Sequence, residues 1–145
     1  MKNEGVYREN SEAVQAHLSI TQSVIQRMAA NSSSCKGWSI TLVSAILVIV
    51  ADKGKPQYTL IALIPTFLFL ILDTYYLALE KMFRRSYNSF IDKLHKGDVL
   101  AQDLYAVSPS GNLFKTFFKA LGSFSVWPFY ATLAIMIFIT KALVV

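Results

Sequence analysis

The sequence has few of the residues on which secreted and catalytic proteins depend. Its 145 residues include one cysteine, Cys35, so an intramolecular disulfide and a disulfide-stabilised secreted scaffold are excluded. Because Cys35 flanks an apolar stretch, we expect a small packing residue, with palmitoylation as the alternative. The first 30 residues are polar and contain no apolar signal core, so no signal peptide is expected.

Residue sets that carry catalysis or bind metals are also missing. His17 and His95 lie far apart, with no Cys or Asp at ligand spacing, and a lone helical histidine is most often a polar surface residue. The sequence has no glycine loop for phosphate, no nucleophile elbow and no Cys–His arrangement. The net charge of +5 includes no dense basic stripe. We therefore expect no enzyme, no cofactor, no metal and no nucleic-acid partner.

Apolar residues are abundant and unevenly distributed. They make up 54% of the chain and concentrate in three blocks, residues 37–51, 58–79 and 120–140. As a helix, the first block rises about 22 Å, short of a hydrocarbon core of roughly 30 Å, so the span is expected to extend past a snorkelling Lys36. The third block contains no charge, and Pro128 is expected to kink it. The sequence predicts a single-domain, all-α membrane protein with three transmembrane helices.

Helices outside these blocks are predicted from apolar spacing. Residues 11–34 form an amphipathic N-terminal helix, which packs either on its own chain or on a second copy. Its apolar side has a 4,3,4,3 spacing: Val14, Leu18, Thr21, Ile25 and Met28. No breaker follows the second block, so that helix should continue to Lys96 as a long cytoplasmic extension, with Gly97 as its C-cap. Residues 98–119 are predicted to be a cytoplasmic loop and an interfacial helix.

The distribution of basic residues predicts the orientation. Three spans place the N-terminus and residues 80–119 on one side, where eleven Lys and Arg residues lie. The other side holds the 52–57 turn and the C-terminus, with three. By the positive-inside rule the first side is cytoplasmic, and in a bacterial inner membrane the C-terminus is then periplasmic.

Asp73 is the only charge in the second block, and a carboxylate near the bilayer centre costs about 2.5–3.5 kcal/mol. Counting back from the 52–57 turn places Lys36 and Asp73 at the same depth, each about 22 Å from the turn. Three interpretations are open: an ion pair between them, separate snorkelling of each side chain, or an Asp73 ring that faces a pore in an oligomer.

Two further sets of candidate residues belong to the membrane and its surface. Ser39, Thr41 and Ser44 are candidates for a polar stripe that lines a pore, although local bonding of hydroxyls to the helix backbone is the simpler interpretation. Anionic headgroups are the expected contacts of four basic residues: Arg84, Arg85, Lys115 and Lys119. An apolar face on the long extension is the candidate docking surface for a partner: Phe83, Tyr87, Phe90 and Leu94.

The layout resembles small bacterial membrane effectors of the SLATT type. The resemblance covers roughly residues 10–97: an amphipathic helix, a two-span hairpin with a short turn, and a long cytoplasmic continuation. The passage 39–47, followed by Asp52-Lys53-Gly54, is similar to that of bacterial proteins of this size. The resemblance implies a role in anti-phage defence, in which such proteins oligomerise and breach the inner membrane when a partner sensor triggers them.

We therefore expect an oligomeric inner-membrane effector or pore-forming protein, with cytoplasmic helices that dock a soluble partner or sensor. One protomer of this size has little room for a solute path, so conduction would need a homo-oligomer. The alternative is a non-conducting membrane anchor or regulatory subunit for a soluble defence enzyme.

Overall fold

The computed structural model describes residues 7–143, which are all-helical. Four α-helices follow one another: α1 (Glu12–Lys53), α2 (Leu63–Lys96), α3 (Leu113–Leu121) and α4 (Trp127–Leu143). A 3-10 helix (Pro56–Ala62) precedes α2, and a short 3-10 turn (Ala101–Asp103) lies between α2 and α3. The prediction of an all-α fold is confirmed.

α1 and α2 form a long antiparallel hairpin. α1 ends at Gly54, whose φ of 59° places it in the left-handed region that favours glycine. Its amide donates to the carbonyl of Ala51. α2 ends in the same way at Gly97, with a φ of 73°, as the sequence predicts. Both long helices thus end where a glycine follows.

No break separates the predicted N-terminal helix from the first predicted span. Residues 11–34 and 37–51 are not separate elements, because α1 runs without a break from Glu12 to Lys53. The serine-rich stretch Asn31–Ser34 continues the helix. Ser32 and Cys35 lie on the buried side, and their small side chains let α1 pack closely.

The third apolar block is not one helix either. α3 ends at Leu121 and α4 begins at Trp127, with a turn across Gly122–Val126. Pro128 therefore lies in the first turn of α4, where its missing amide costs little, and it does not kink a helix interior as predicted. The charge-free composition of residues 120–140 did not reveal this break.

Two apolar clusters hold the helices together. The hairpin core lies near the 54–55 turn and consists of Val43, Ala62, Val126, Tyr130, Leu133 and Ile137. The distal core lies at the opposite end of the hairpin and consists of Val14, Phe90, Leu94, Val99 and Leu104. The polar cluster described below lies between these two cores.

α1 and the segment Pro56–Lys96 are each long and apolar enough to cross a membrane. Large apolar side chains on both project outward rather than into the fold, among them Val48, Ile49, Ile64 and Phe67. α4 is apolar but shorter, at 17 residues.

Candidate functional site

An ion pair joins the two long helices. Lys36 Nζ on α1 lies 2.6 Å from Asp73 Oδ2 on α2. The Asp73 side chain is completely buried, whereas 22% of the Lys36 side chain is exposed. Of the three interpretations of these residues, the structure has the ion pair.

A serine completes the cluster. Ser32 Oγ donates a hydrogen bond to Asp73 Oδ1, so each carboxylate oxygen has a neighbour on α1. Ser32 and Lys36 are four residues apart and therefore lie on the same side of α1. We call Ser32, Lys36 and Asp73 the buried triad.

The buried triad lies in a small, partly polar layer. Thr74, also fully buried, donates its hydroxyl to the carbonyl of Leu70 at 2.6 Å. From α4, Tyr130 Oη donates to the carbonyl of Phe69 at 3.1 Å and so ties the last helix to α2. These hydroxyls satisfy backbone carbonyls of α2, while Lys36 and Ser32 contact the carboxylate of Asp73.

Removing one member of such a pair is costly. A buried charge without its partner destabilises a protein by about 3–5 kcal/mol, whereas replacing both members with apolar residues is often neutral. The pair is therefore not required for packing alone. An ionisable residue buried at such a position is a candidate for function.

The predicted polar stripe does not exist as one surface. Ser39 is fully buried, but Thr41 and Ser44 are exposed on other sides of α1. Thr41 Oγ1 donates to the carbonyl of Gly37 at 3.0 Å, which is the local bonding that was the simpler interpretation. In the part of α1 nearer the 54–55 turn, the buried polar residues are instead Ser32 and Ser39, with Lys36 at the edge of the same side.

Ser39 has an unusual environment. Its Oγ is buried and has no hydrogen-bond partner within residues 7–143. An unpaired buried hydroxyl costs roughly 1–3 kcal/mol. Together with the buried triad, it places polar groups that contribute little to packing along the inner side of α1.

Asp73 does not face outward as a pore ring would require. Its side chain is buried between helices of a single chain. A second copy could contact it only if α1 and α2 moved apart, so the pore-facing interpretation is wrong for this conformation.

The predicted partner-docking face is largely covered by the chain itself. Phe90 and Leu94 belong to the distal core and pack with Val14 of α1. Phe83 and Tyr87 are half-buried, and Gln22 Nε2 donates to Tyr87 Oη at 3.3 Å. Phe90 and Leu94 are thus covered by the chain itself, whereas docking of a partner at Phe83 and Tyr87 stays a prediction.

The four basic residues assigned to headgroups differ in their partners. Arg84 pairs with Glu80 at 2.8 Å within α2, and Arg85 Nη1 donates to Thr116 Oγ1 of α3 at 3.3 Å. Lys115 and Lys119 are exposed on α3 and form no ion pair with any residue that the structure describes.

His17 is a site residue that the sequence reasoning missed. It is buried, and its ring centroid lies 4.2 Å from that of Phe90. Its Nδ1 accepts a hydrogen bond from the amide of Tyr105 at 3.0 Å, and Tyr105 has a φ of 61°. The signal was present, since His17 lies between Val14 and Thr21 at helical spacing, on the stripe predicted to be buried.

Burial and a nearby charge shift the pKa of His17 in opposite directions. Burial lowers the pKa of His17 below its ordinary value of 6.5, and the nearby carboxylate of Asp103 partly opposes this. A hydrogen bond from Lys93 at 2.8 Å, together with the amide of Leu100, lowers the pKa of Asp103. The contact between Asp103 and Lys93 therefore holds the 98–110 segment near His17, while burial favours the neutral form of the imidazole.

Comparison of the chain with protein-family models, with curated proteins and with solved structures found no match. Within residues 7–143, no three His, Cys, Asp or Glu side chains are grouped as metal ligands. The buried triad is thus the main chemical feature of the described chain.

Proposed function

We propose that this protein is an integral membrane effector that acts as a homo-oligomer, and that the buried triad holds it in a closed state. α1, the 56–96 segment and α4 cross the membrane. The N-terminal part of α1 and the 97–112 segment are cytoplasmic, and the C-terminal end of α4 is periplasmic.

One observation carries this proposal: a fully buried carboxylate is paired across an otherwise apolar helix hairpin. Apolar residues of similar size would stabilise the hairpin equally well. The pair differs from them in what happens when the helices separate. Ser32, Lys36, Ser39 and Asp73 would then face the space that opens, and these groups favour water over lipid.

Arrangement of the helices supports the proposed orientation. Tyr130, near the start of α4, contacts Phe69, and later residues of α4 pack along the 3-10 helix Pro56–Ala62. α4 therefore runs antiparallel to α2 and ends near the 54–55 turn. Only one proposed span, α4, follows residues 97–112, so these residues and the end of α4 lie on opposite sides of the bilayer in this proposal.

In the cell, the resemblance to SLATT-type effectors favours anti-phage defence in a bacterial inner membrane, with a soluble sensor as the trigger. Conduction would require an oligomer, because a protomer with three spans has too few helices to enclose an aqueous path. The outward apolar side chains of α1 and α2 provide surface for both lipid and neighbouring copies.

The test is a leak assay with the purified chain in vesicles that contain a self-quenching dye. The Asp73→Asn variant weakens the pair with little change in volume, and we expect faster dye release than from the wild-type chain. Asp52→Asn, at the exposed turn, is the matched control and should leave release unchanged. Flotation with the vesicles checks that each variant is inserted.

If all inserted variants leave the vesicles intact, and induced expression leaves the membrane potential of cells unchanged, the effector proposal is wrong. A non-conducting anchor or regulatory subunit would then be favoured. One observation supports that second function: an open groove between α1 and α2 near the distal core, lined by polar groups that include Gln22, Gln26, Arg84 and Asn88. A soluble partner would dock in this groove, which Tyr87 of the predicted docking face also lines.

A further inference from the structure

α3 is a short helix with two dissimilar sides. Thr116 and Ala120 are buried against α2, where Arg85 donates to the Thr116 hydroxyl. On another side, Phe114 and Phe118 are four residues apart and remain 78% and 68% exposed. Phe124, just after the helix, is also exposed. Burying an apolar side chain is favourable, so an aromatic patch left outside the fold requires an explanation.

Lysines lie beside this aromatic patch. Lys115 and Lys119 each follow one of the two phenylalanines, are exposed, and form no ion pair with the residues that the structure describes. After Asp103 the sequence contains no Asp or Glu, so the segment that carries α3 has no carboxylate of its own to neutralise them. The surface thus combines exposed aromatic rings with unpaired positive charge.

The position of α3 brings this surface to the membrane interface. Thr116 contacts Arg85, which lies twelve residues beyond Asp73 on α2, a rise of about 18 Å toward the cytoplasmic end. Five residues separate the end of α3 from the start of α4. Since α4 enters the bilayer in the proposed topology, α3 must lie close to the headgroups on the cytoplasmic side.

We propose that Phe114, Lys115, Phe118 and Lys119 form a docking surface for the headgroups of anionic phospholipids. The phenylalanine rings enter the boundary between headgroups and acyl chains, and the two ammonium groups contact lipid phosphates. Amphipathic helices with aromatic and basic residues bind membranes in this manner, and the attraction increases with anionic lipid. This inference rests on the membrane location in the proposed function but not on conduction.

Brominated lipids test the surface directly. Phe118→Trp is introduced into a chain with Trp38→Phe and Trp127→Phe, so that the new indole is the only tryptophan. The chain is reconstituted into two series of vesicles, one with increasing mole fractions of brominated phosphatidylglycerol and one with the same mole fractions of brominated phosphatidylcholine. We expect stronger quenching by the anionic lipid, with half-quenching at a mole fraction lower by on the order of tenfold.

Matched charge variants identify the cause of that preference. K115Q/K119Q should abolish it, whereas K53Q/K55Q removes the same charge at the opposite end of the hairpin and should preserve it. High salt should reduce the preference, because headgroup attraction is screened. Counting bound phosphatidylglycerol by native mass spectrometry of K115Q/K119Q and the wild-type chain gives a second readout that needs no tryptophan variant.

Two outcomes would overturn the inference. Equal quenching by both lipids in an inserted protein would mean that α3 touches the bilayer without reading its charge. No quenching by either lipid would mean that this side faces water or another protein. Failure of the chain to float with vesicles would instead reject the membrane location itself, so the two failures can be told apart.

Discussion

Lys36 and Asp73 lie level with each other across the α1–α2 hairpin, with Nζ and Oδ2 2.6 Å apart. The contact fixes the register of two long apolar helices, that is, which residues of α1 lie beside which residues of α2. The outward apolar side chains do not select a register, so they would allow many. An apolar contact can be replaced by another apolar contact after a shift of register, but a buried carboxylate cannot move away from Lys36 without losing the charge that pairs with it. The pair therefore specifies one alignment of the hairpin.

Asp73→Ala should destabilise the protein by about 3 kcal/mol, because Lys36 would then be partly buried without a partner. This value is at the low end for a buried pair because 22% of the Lys36 side chain lies outside the fold. Thermal unfolding in detergent, followed by tryptophan fluorescence, measures the effect. Asp52→Ala is the control and should change the midpoint little. Equal midpoints for the two variants would contradict a stabilising pair.

Replacing both charges should separate stability from function. Lys36→Met with Asp73→Leu leaves no unpaired charge, and its free energy of unfolding should lie within about 1 kcal/mol of the wild-type value or above it. Ser32 can redirect its hydroxyl to a backbone carbonyl one turn earlier. If the pair acts as a lock that opens, this stable variant should not release dye under conditions in which wild-type chains do. A double variant as unstable as Asp73→Ala would show that packing cannot replace the pair.

The sequence predicted those features of this arrangement that depend on a few neighbouring residues or on regular helical rise. It did not predict those that depend on which surfaces meet in the fold. The level positions of Lys36 and Asp73 follow from counting residues along two helices from a shared turn, because helical rise is regular. The C-cap at Gly97 follows from one residue. The break at Gly122–Val126 was missed because membrane composition and helix continuity are different properties, and a charge-free run determines only the first. The burial of Phe90 and Leu94 was missed because an apolar stripe does not identify the surface that covers it.

Acidification should loosen the 98–110 segment through His17. The pKa of His17 is lowered in the folded protein, so the neutral ring is the favoured form, and its contribution to stability is complete above 6.5. That contribution is lost as the pH falls through the folded pKa, since a protonated Nδ1 cannot accept the amide of Tyr105. Hydrogen exchange of peptides from residues 99–110, corrected for intrinsic rates, should therefore accelerate below pH 6.5.

Other titrating groups near His17 should not produce that change. Asp103 has a pKa below its ordinary value of 3.8, so its contribution is lost only at lower pH. His17→Gln keeps an acceptor but does not titrate, so it should flatten the pH profile. His95→Gln, at the exposed second histidine, should leave the profile unchanged. A profile that follows His95 instead would contradict the assignment.

Tyr105 should tolerate residues that adopt a left-handed backbone. With a φ of 61° and an exposed side chain, it occupies a conformation that costs an ordinary residue about 1–2 kcal/mol. Tyr105→Asn should therefore unfold at the same temperature as the wild-type chain or slightly above it. Tyr105→Val should unfold lower, because a β-branched residue is strained there. The reverse order would contradict the role of this backbone conformation.

Two glycines should respond oppositely to the same substitution. Gly111 has a φ of 106°, and a Cβ there would lie 2.8 Å from Arg85 Nη1, so Gly111→Ala strains the backbone and displaces Arg85 from Thr116. We expect a loss of about 1–2 kcal/mol. Gly37 lies within α1 with no atom near the added Cβ, so Gly37→Ala should gain about 0.5–1 kcal/mol from helix propensity. Thermal midpoints in the same detergent compare the two, and a matched loss at both positions would mean that α1 requires glycine for close packing with lipid or another copy.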